Sequence, residues 1–552
     1  MIQLGLSAFY HDSAAAIVVD GVVKVAAEEE RFTGIKHDDS FPYNALKFCL
    51  REIGKDLKDV TEVCWYEDPK IKEDRVIKTF AKNPLRTFFL KRKFKKEKQS
   101  RDPEFILREL GYTGKITYTP HHLSHAAFSF FTSPYKEADI LVVDGVGEWD
   151  TVSFWKGNGK GIHLKHHYKF PNSLGMFYST MTAYLGFKPN EGEYKVMGLA
   201  PYGNPEPYYD RLRSIIETTG FRIDQKYFTW EYDDRIMFNS KLSNLLEIPP
   251  RLPEEEFTKD HENLAAATQA VYEYYFLEFV NKLKLIGNSE NLCLGGGCAY
   301  NGVANNKAYK HYRNVYIPYA PSDAGSAIGA CLYNYRGPRK ENTSPFLGSK
   351  YEDDEIEDLV KSYSAKVNYV KFESDKLLTR VAKLLQSQKI VAWFQGRMEF
   401  GARALGNRSI LAAPNDPKMR DKLNYVIKKR EGFRPFAPSV LSEDISKYFV
   451  VRDPIPYMNQ VVPVKRGSIN LFPAATHIDH TARVQAVTKE ENNRYYLLLQ
   501  EVKALTGHGV LLNTSFNLKD ETITRTPDQA ISRYVNSDID YLVIGNYLVF
   551  KK

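Results

Sequence analysis

Two histidines four residues apart are the first sign of chemistry in the chain. In His121-His122-Leu123-Ser124-His125 a helix would put His121 and His125 on one face, able to hold one metal ion, with His122 pointing off it. Asp144 closes an apolar strand just before Gly145. Asp323 stands where the turn Pro321-Ser322-Asp323 enters a helix of small residues. Two imidazoles with one or two carboxylates suit a divalent transition metal. His11, in His11-Asp12-Ser13, occupies a polar turn after the first strand, where an imidazole can accept a proton or polarise a transferred group. Lys36 lies in the charge-dense run Glu28 to Pro42 and can stabilise negative charge on a transferring acyl oxygen. Lys195 sits between glycine turns in Glu191-Gly-Glu-Tyr-Lys-Val-Met-Gly, a candidate phosphate contact. Each has a plainer alternative: a structural His pair, a turn-capping Asp12 with a satisfied His11, a solvated loop around Lys36, a surface Lys195.

A second group is made of glycines and arginines. Gly295, Gly296 and Gly297 follow the apolar strand Asn291 to Leu294, and Asn301 opens the next helix. Glycines admit close backbone approach, and a helix start favours an anion, so this is a candidate adenosine or phosphate loop. Further on, Arg403 and Arg408 lie in Gly401-Ala-Arg-Ala-Leu-Gly-Asn-Arg-Ser. Lys428, Arg430 and Arg434 lie in Lys428-Lys-Arg-Glu-Gly-Phe-Arg-Pro, and Arg483 in Thr481-Ala-Arg-Val-Gln. Asn513 and Ser515 lie in Leu512-Asn-Thr-Ser-Phe-Asn. Forked guanidinium groups match phosphate, and the set suggests a site for a multiply anionic ligand; structural ion pairs are the alternative.

The elements that must position these residues repeat. Ile2 to Ser7 with Ser13 to Val19, and Ile140 to Asp144 with Thr151 to Trp155, each form strand, polar turn and strand, about 135 residues apart. Such duplication resembles the actin-like ATPases, whose two turns grip the phosphates of a nucleotide. The run Arg336 to Pro345 is linker-like, Glu352-Asp-Asp-Glu starts an acidic helix, and a new α/β pattern begins at Lys389, which places a domain boundary within 336–370. The whole chain has 552 residues, 43% of them hydrophobic and 26% charged, an ordinary globular composition that excludes a disordered, collagen-like or coiled-coil protein. Five cysteines without a CxxC pair argue against a disulfide scaffold or a structural zinc site. No apolar run approaches a membrane span and no secretory signal is evident at the N-terminus, so a cytoplasmic protein is expected. The net charge of +8 is local: Lys70 to Arg101 carries thirteen Lys or Arg against three Asp or Glu. That segment is expected to form a solvated helical hairpin, with an anionic partner as the alternative.

Taken in order, HDSAAA at 11–16, AEEERFTGIKHDDSFP at 27–42, HHLSHAAFSF at 121–130, YKVMGLAPYG at 194–203, GGGCAYN at 295–301, APSDAGSAIGA at 320–330, GARALGNRS at 401–409, KKREGFRPFAP at 428–438, TARVQ at 481–485 and LNTSFN at 512–517 resemble the NodU/CmcH family of O-carbamoyltransferases. The resemblance implies an actin-like carbamoyl-transfer domain over 1–350, similar to the tRNA threonylcarbamoyl-adenosine transferase. It implies a YrdC-like, α+β domain over 351–552 that makes carbamoyl-adenylate from carbamoyl phosphate and ATP, with Mg as the nucleotide's ion. It implies iron(II), or another divalent transition metal, on His121, His125, Asp144 and Asp323. It assigns His11 and Lys36 to the transfer site, and Arg403, Lys428, Arg430, Arg434, Arg483, Asn513 and Ser515 to the carbamoyl-phosphate and ATP motifs. The expected acceptor is a small hydroxylated molecule; no membrane or nucleic-acid partner is expected, and a homo-oligomer stays open. Two other readings are a tRNA-modifying enzyme, suggested by the basic segment, and a non-enzymatic actin-like nucleotide switch. The stretch 204–262, with Trp230 and Asp233-Asp234, is the expected place of a further acidic catalytic residue.

Overall fold

The computed structural model describes residues 1–80, 84–231 and 236–552, with the backbone alone for 93–98. Asp233 and Asp234, and the side chains at the centre of the basic run, therefore lie outside the described residues. The chain forms two units: Met1–Glu29 with Asp39–Thr343, and Glu30–Asp38 with Ser344–Lys552. Among the described residues no helix is long and apolar enough to cross a membrane.

The first unit contains one topology twice. Strands β1 (Ile2–Ser7), β2 (Ala14–Val19), β3 (Val22–Glu28), β4 (Glu62–Trp65) and β5 (Lys115–Tyr118) form a sheet in the order β3-β2-β1-β4-β5. The first three are antiparallel neighbours, while β4 and β5 run parallel to β1. Strands β6 (Ala138–Gly147), β7 (Asp150–Asn158), β8 (Gly161–Lys169), β11 (Asn291–Gly295) and β12 (Asn314–Tyr316) repeat it, in the order β12-β11-β6-β7-β8 with the same strand senses. Between them in sequence, β9 (Ile216–Glu217) and β10 (Arg222–Ile223) make a small hairpin. This is the duplicated actin-like arrangement expected from the two strand–turn–strand segments. Strand β1 carries Leu4 and Leu6 with Gly5 between them, and β6 is buried along most of its length, as strands covered on both faces must be.

Two helices fill the first unit beside these sheets, His121–Phe131 and Asp323–Asn334. Ten residues of each are buried, so neither shows a solvent face over most of its length. They cross closely because Gly329 has no side chain: a Cβ there would lie 2.0 Å from the Ser124 carbonyl oxygen. That approach brings the start of one helix to the start of the other. The basic segment forms the helices Pro69–Thr79 and Pro84–Arg101; Asp68 caps the first, its carboxylate accepting from the backbone N–H groups of Lys70 and Ile71.

The second unit is built on an eight-stranded mixed sheet. Its strands are β13 (Val367–Lys371), β14 (Val391–Phe394), β15 (Arg408–Ala412), β16 (Ala437–Leu441), β19 (Gln485–Val487), β20 (Val510–Ser515), β21 (Tyr541–Ile544) and β22 (Tyr547–Lys551), in the order β13-β22-β21-β14-β15-β20-β16-β19. Strands β17 (Val461–Pro463) and β18 (Thr481–Arg483) pair separately. Side chains alternate across the sheet. Val391 and Trp393 join a core with the helices Ser374–Gln386 and Asn493–Thr506, while Ala392 and Phe394 join a second core on the opposite face. The acidic stretch caps the helix Asp353–Ser362 through Glu352, as its composition predicts.

Candidate metal centre and anion site

The first turn of the helix His121–Phe131 presents His121 and His125 in the same direction, four residues apart. Asp144 reaches them from β6, and Asp323 from the first position of its helix. One donor atom from each of these four residues lies within 4.8 Å of all the others, and all four residues are buried. His121 Nε2 stands 3.1 Å from His125 Nε2 and 3.1 Å from Asp144 Oδ2; Asp323 Oδ1 lies 3.5 Å and 3.4 Å from the two nitrogens. Two imidazole nitrogens 3.1 Å apart match an edge of a coordination shell whose metal–nitrogen bonds are about 2.1 Å.

The electrostatics are those of a cation site. Both oxygens of Asp323 are buried without a hydrogen-bond donor among the described residues. A buried carboxylate in that state needs a compensating positive charge. Burial disfavours a charged His121, yet Asp323, Asp144 and Glu67 outweigh it and hold its pKa well above the ordinary imidazole value. Burial likewise opposes the Asp144 carboxylate, and His121 and His125 pull it well below its usual range. The donor set, two nitrogens and two carboxylates with no sulfur, fits a divalent transition metal such as iron(II). The glycine run supports this centre directly: Gly297 N–H donates to Asp144 Oδ1 at 3.1 Å. Gly296 makes the turn possible with φ +88°, and a Cβ on it would fall 2.2 Å from the Val143 carbonyl oxygen. His125 Nδ1 bonds Ser326 Oγ at 2.9 Å. His122 turns away to Ser153 Oγ at 2.7 Å, and burial lowers its pKa well below the usual value.

His11 lies half-buried between β1 and β2, its Nδ1 3.0 Å from Asp12 Oδ2. Burial opposes its charge, but Asp323 and Asp12 push its pKa up to about 10. Asn301 pairs its amide with that of Gln269 and caps the following helix at Ala304 N–H. Lys195 stands with its ammonium 5.3 Å from the centre of the Phe187 ring.

Lys36 belongs to the second unit, with the rest of Glu30–Asp38. There it lies within electrostatic reach of Lys428, together with Arg430, Arg434 and Arg533. Lys428 is buried and its ammonium donates to the Ser515 and Asn517 carbonyl oxygens and to Asn517 Oδ1. Burial, and then these four cations, drive its pKa well below the ordinary lysine value. Arg434 pairs with Glu431 at 3.3 Å and Arg533 with Glu521 at 2.8 Å. Such crowding of like charge makes a positive cluster, suited to a multiply charged anion. Arg483 ends β18 opposite Val461. Arg403 rides on a loop organised by Glu399, a buried residue that composition alone does not mark; its Oε1 accepts from the N–H groups of Leu405, Asn407 and Arg408. Arg408 does something different from the others. It is fully buried over the Phe394 ring, its guanidinium donates to the carbonyls of Gln395, Gly396, Asn407 and Ser349, and burial lowers its pKa to about 10. Asn513 is equally internal, its amide donating to Ser439 Oγ, Gln485 Oε1 and the Ala404 carbonyl. These hydrogen bonds hold the sheet and loop in place, while Asn513 Oδ1 and Arg408 Nε are buried without a partner among the described residues.

Sequence reasoning missed three groups in the first unit. Glu67, buried, stands 3.8 Å from His121 Nδ1. Glu148, on the second turn, accepts from Asp68 N–H at 2.6 Å, and burial raises its carboxyl to about 7. The Tyr10 ring lies 4.7 Å from the His11 ring, tilted at 44° to it. Only the proximity of Glu148 to Asp144 in sequence offered a clue.

The chain thus combines a duplicated α/β unit holding a buried His–Asp cluster with a second unit holding a cluster of basic side chains. The chain belongs to the carbamoyltransferase family: the family model described as Carbamoyltransferase N-terminus matches residues 2–332, and that described as Carbamoyltransferase C-terminus matches residues 382–551. An uncharacterized protein of Synechocystis, sll1178, is 40% identical over 99% of this chain and 96% of its own length. Nodulation protein NolNO of Sinorhizobium fredii is 34% identical over 99% of this chain and 79% of its own. The 3'-hydroxymethylcephem-O-carbamoyltransferase of Amycolatopsis lactamdurans is 28% identical over 79% of this chain and 84% of its own. The chain is thus a transferase enzyme, and its resemblance to the NodU/CmcH family is borne out.

Proposed function

We propose that this carbamoyltransferase is an ATP-dependent O-carbamoyltransferase acting on a small hydroxylated acceptor. The observation that carries this reading is the buried His121–His125–Asp144–Asp323 cluster, with its unbonded Asp323 carboxylate, in a chain that matches both halves of the carbamoyltransferase family. In the YrdC-like second unit water takes the phosphoryl group of carbamoyl phosphate, releasing inorganic phosphate and carbamate; the carbamate oxygen then attacks the α-phosphorus of ATP, and pyrophosphate leaves. Carbamate itself is a poor electrophile; joined to AMP it gains a good leaving group. The positive cluster of Lys428, Arg430, Arg434 and Lys36 holds the phosphates of these ligands, with Arg403 and Arg483 as further contacts.

In the first unit the acceptor oxygen forms a bond to the carbamoyl carbon, the bond to AMP breaks, and the acceptor proton leaves. Iron(II) or another divalent metal held by His121, His125, Asp144 and Asp323 supplies Lewis-acid stabilisation of developing oxyanion charge. A cation held by Asp144 and Asp323 would offset the carboxylate charge that raises the His11 pKa; neutral His11, with its Nδ1–H hydrogen-bonded to Asp12 Oδ2, would then offer Nε2 to the acceptor's proton. Burial of the cluster excludes water that would otherwise hydrolyse the adenylate.

The test needs no acceptor. Purified protein with ATP, carbamoyl phosphate and magnesium is expected to release AMP and pyrophosphate in a carbamoyl-phosphate-dependent way. Formation of ADP instead would overturn the adenylate route. Arg483→Ala is expected to abolish this half-reaction; normal AMP production by the variant would remove that residue from the site.

A further inference from the structure

We propose that Glu67, anchored by Lys72, is a positioning residue that orients His121 for the metal; this rests on the metal reading above. A neutral imidazole that offers Nε2 to a metal carries its proton on Nδ1, and that N–H requires an acceptor. His125 has one in Ser326. His121 Nδ1 is buried and has no hydrogen-bond partner among the described residues. The group that faces it is Glu67 Oε2, at 3.8 Å, with both side chains almost wholly buried. The distance is longer than a hydrogen bond, and a small turn of either side chain closes it.

Glu67 is not placed there by the strand pattern. It lies two residues past the end of β4, after Tyr66, whose hydroxyl is tied to the Ala8 carbonyl. The next residue, Asp68, caps the helix Pro69–Thr79 and donates its own N–H to Glu148 on the second turn. Lys72, one turn into that helix, reaches back to Glu67 Oε1 at 2.7 Å. The carboxylate therefore has one oxygen fixed by Lys72 and the other left for the imidazole. A carboxylate behind a ligating histidine fixes the ring and raises its basicity, and loss of such a partner costs about 10- to 100-fold in metal affinity.

The experiment measures metal affinity, not turnover. Metal-stripped full-length protein is titrated with Co(II) without oxygen, following the visible d–d bands, for wild type, Glu67→Gln and Lys72→Met. Glu67→Gln is expected to raise Kd about 10- to 100-fold and to alter the d–d bands. Should Glu67→Gln fail to fold, Lys72→Met, which keeps the carboxylate but frees it, is expected to raise Kd in the same direction. A Kd and spectrum equal to wild type in the folded variants would overturn the proposal and leave Glu67 as a plain ion-pair partner of Lys72. Failure of the metal reading itself looks different: wild type then binds Co(II) no better than a His121→Ala/His125→Ala double variant, and the proposal falls with it.

Discussion

Asp323 keeps a carboxylate in a wholly buried place with no donor for either oxygen among the described residues, and His121 Nε2 and His125 Nε2 lie 3.5 Å and 3.4 Å from its Oδ1. A cation between these groups repays that desolvation, so folding and metal binding are linked. Wild-type protein is expected to gain about 2.7 kcal/mol of stability at a hundredfold excess of metal over Kd. Thermal melts with and without Co(II) show this as a rise in Tm. Asp323→Asn should erase the rise, and a variant that still shows it would remove Asp323 from the ligand set. Lys428 gives the second residue-scale prediction. Its buried ammonium, crowded by Arg430, Arg434, Lys36 and Arg533, has a depressed pKa. An anion bound beside it favours the charged form and raises that pKa, so binding takes up protons over the range between the two values. Affinity for pyrophosphate should therefore fall as pH rises through that range. Calorimetry of pyrophosphate binding in buffers of differing ionisation enthalpy should report net proton uptake, reduced in Lys428→Met. Zero uptake in wild type would mean that the anion does not sit beside this lysine.

At the scale of elements, the centre depends on turns and helix starts. Strand β11 ends in Gly295, Gly296 bends the chain with positive φ, and Gly297 offers its N–H to Asp144. Gly296→Ala would combine a left-handed backbone with a Cβ driven into the Val143 carbonyl. The expected cost is about 2 kcal/mol or more, seen in denaturant unfolding, together with weaker metal binding because Asp144 loses its donor. Unchanged stability would show that the turn relaxes freely. This element also shows what the sequence could convey. The HxxxH spacing was legible because helical periodicity alone decides which residues share a face. The duplicated strand–turn–strand was legible because each copy carries its own apolar runs and Gly turns. The service the glycines perform was not: the same three-glycine run suits a phosphate or a carboxylate, and only the pairing of β11 with β6 brings Gly297 to Asp144. For the same reason the internal hydrogen bonds of Arg408 and Asn513 were not legible. Their partners are carbonyls and amides from residues 349 to 485, which no local motif announces.

At the scale of the whole molecule, the division of labour turns on one short segment. Residues Glu30–Asp38 leave the first unit after β3 and pack as part of the second. The contacts are specific: the Arg31 guanidinium donates to the Gly401 carbonyl at 2.9 Å, and Arg525 lies with its guanidinium 4.5 Å from the Phe32 ring centre while donating to the Arg31 carbonyl. Lys36 rides on this segment, exposed, and its charge reaches Lys428. Family resemblance assigns Lys36 to carbamoyl transfer, whereas its place among the cations of the second unit suits the holding of phosphate. The two roles separate cleanly. Were Lys36 to act only in transfer, Lys36→Ala would release AMP and pyrophosphate from ATP and carbamoyl phosphate at the wild-type rate, and only carbamoylation of an acceptor would fail. A cation beside Lys428 stabilises anions that both ground and transition states carry, and a charge-assisted contact of this kind is worth about 1.5–3 kcal/mol. Lys36→Ala is therefore expected to slow AMP release about tenfold or more, with the larger share in the apparent KM for carbamoyl phosphate or ATP. Lys36→Arg should recover part of the loss, since the charge returns on the same segment while the second unit keeps its Arg31 and Phe32 contacts.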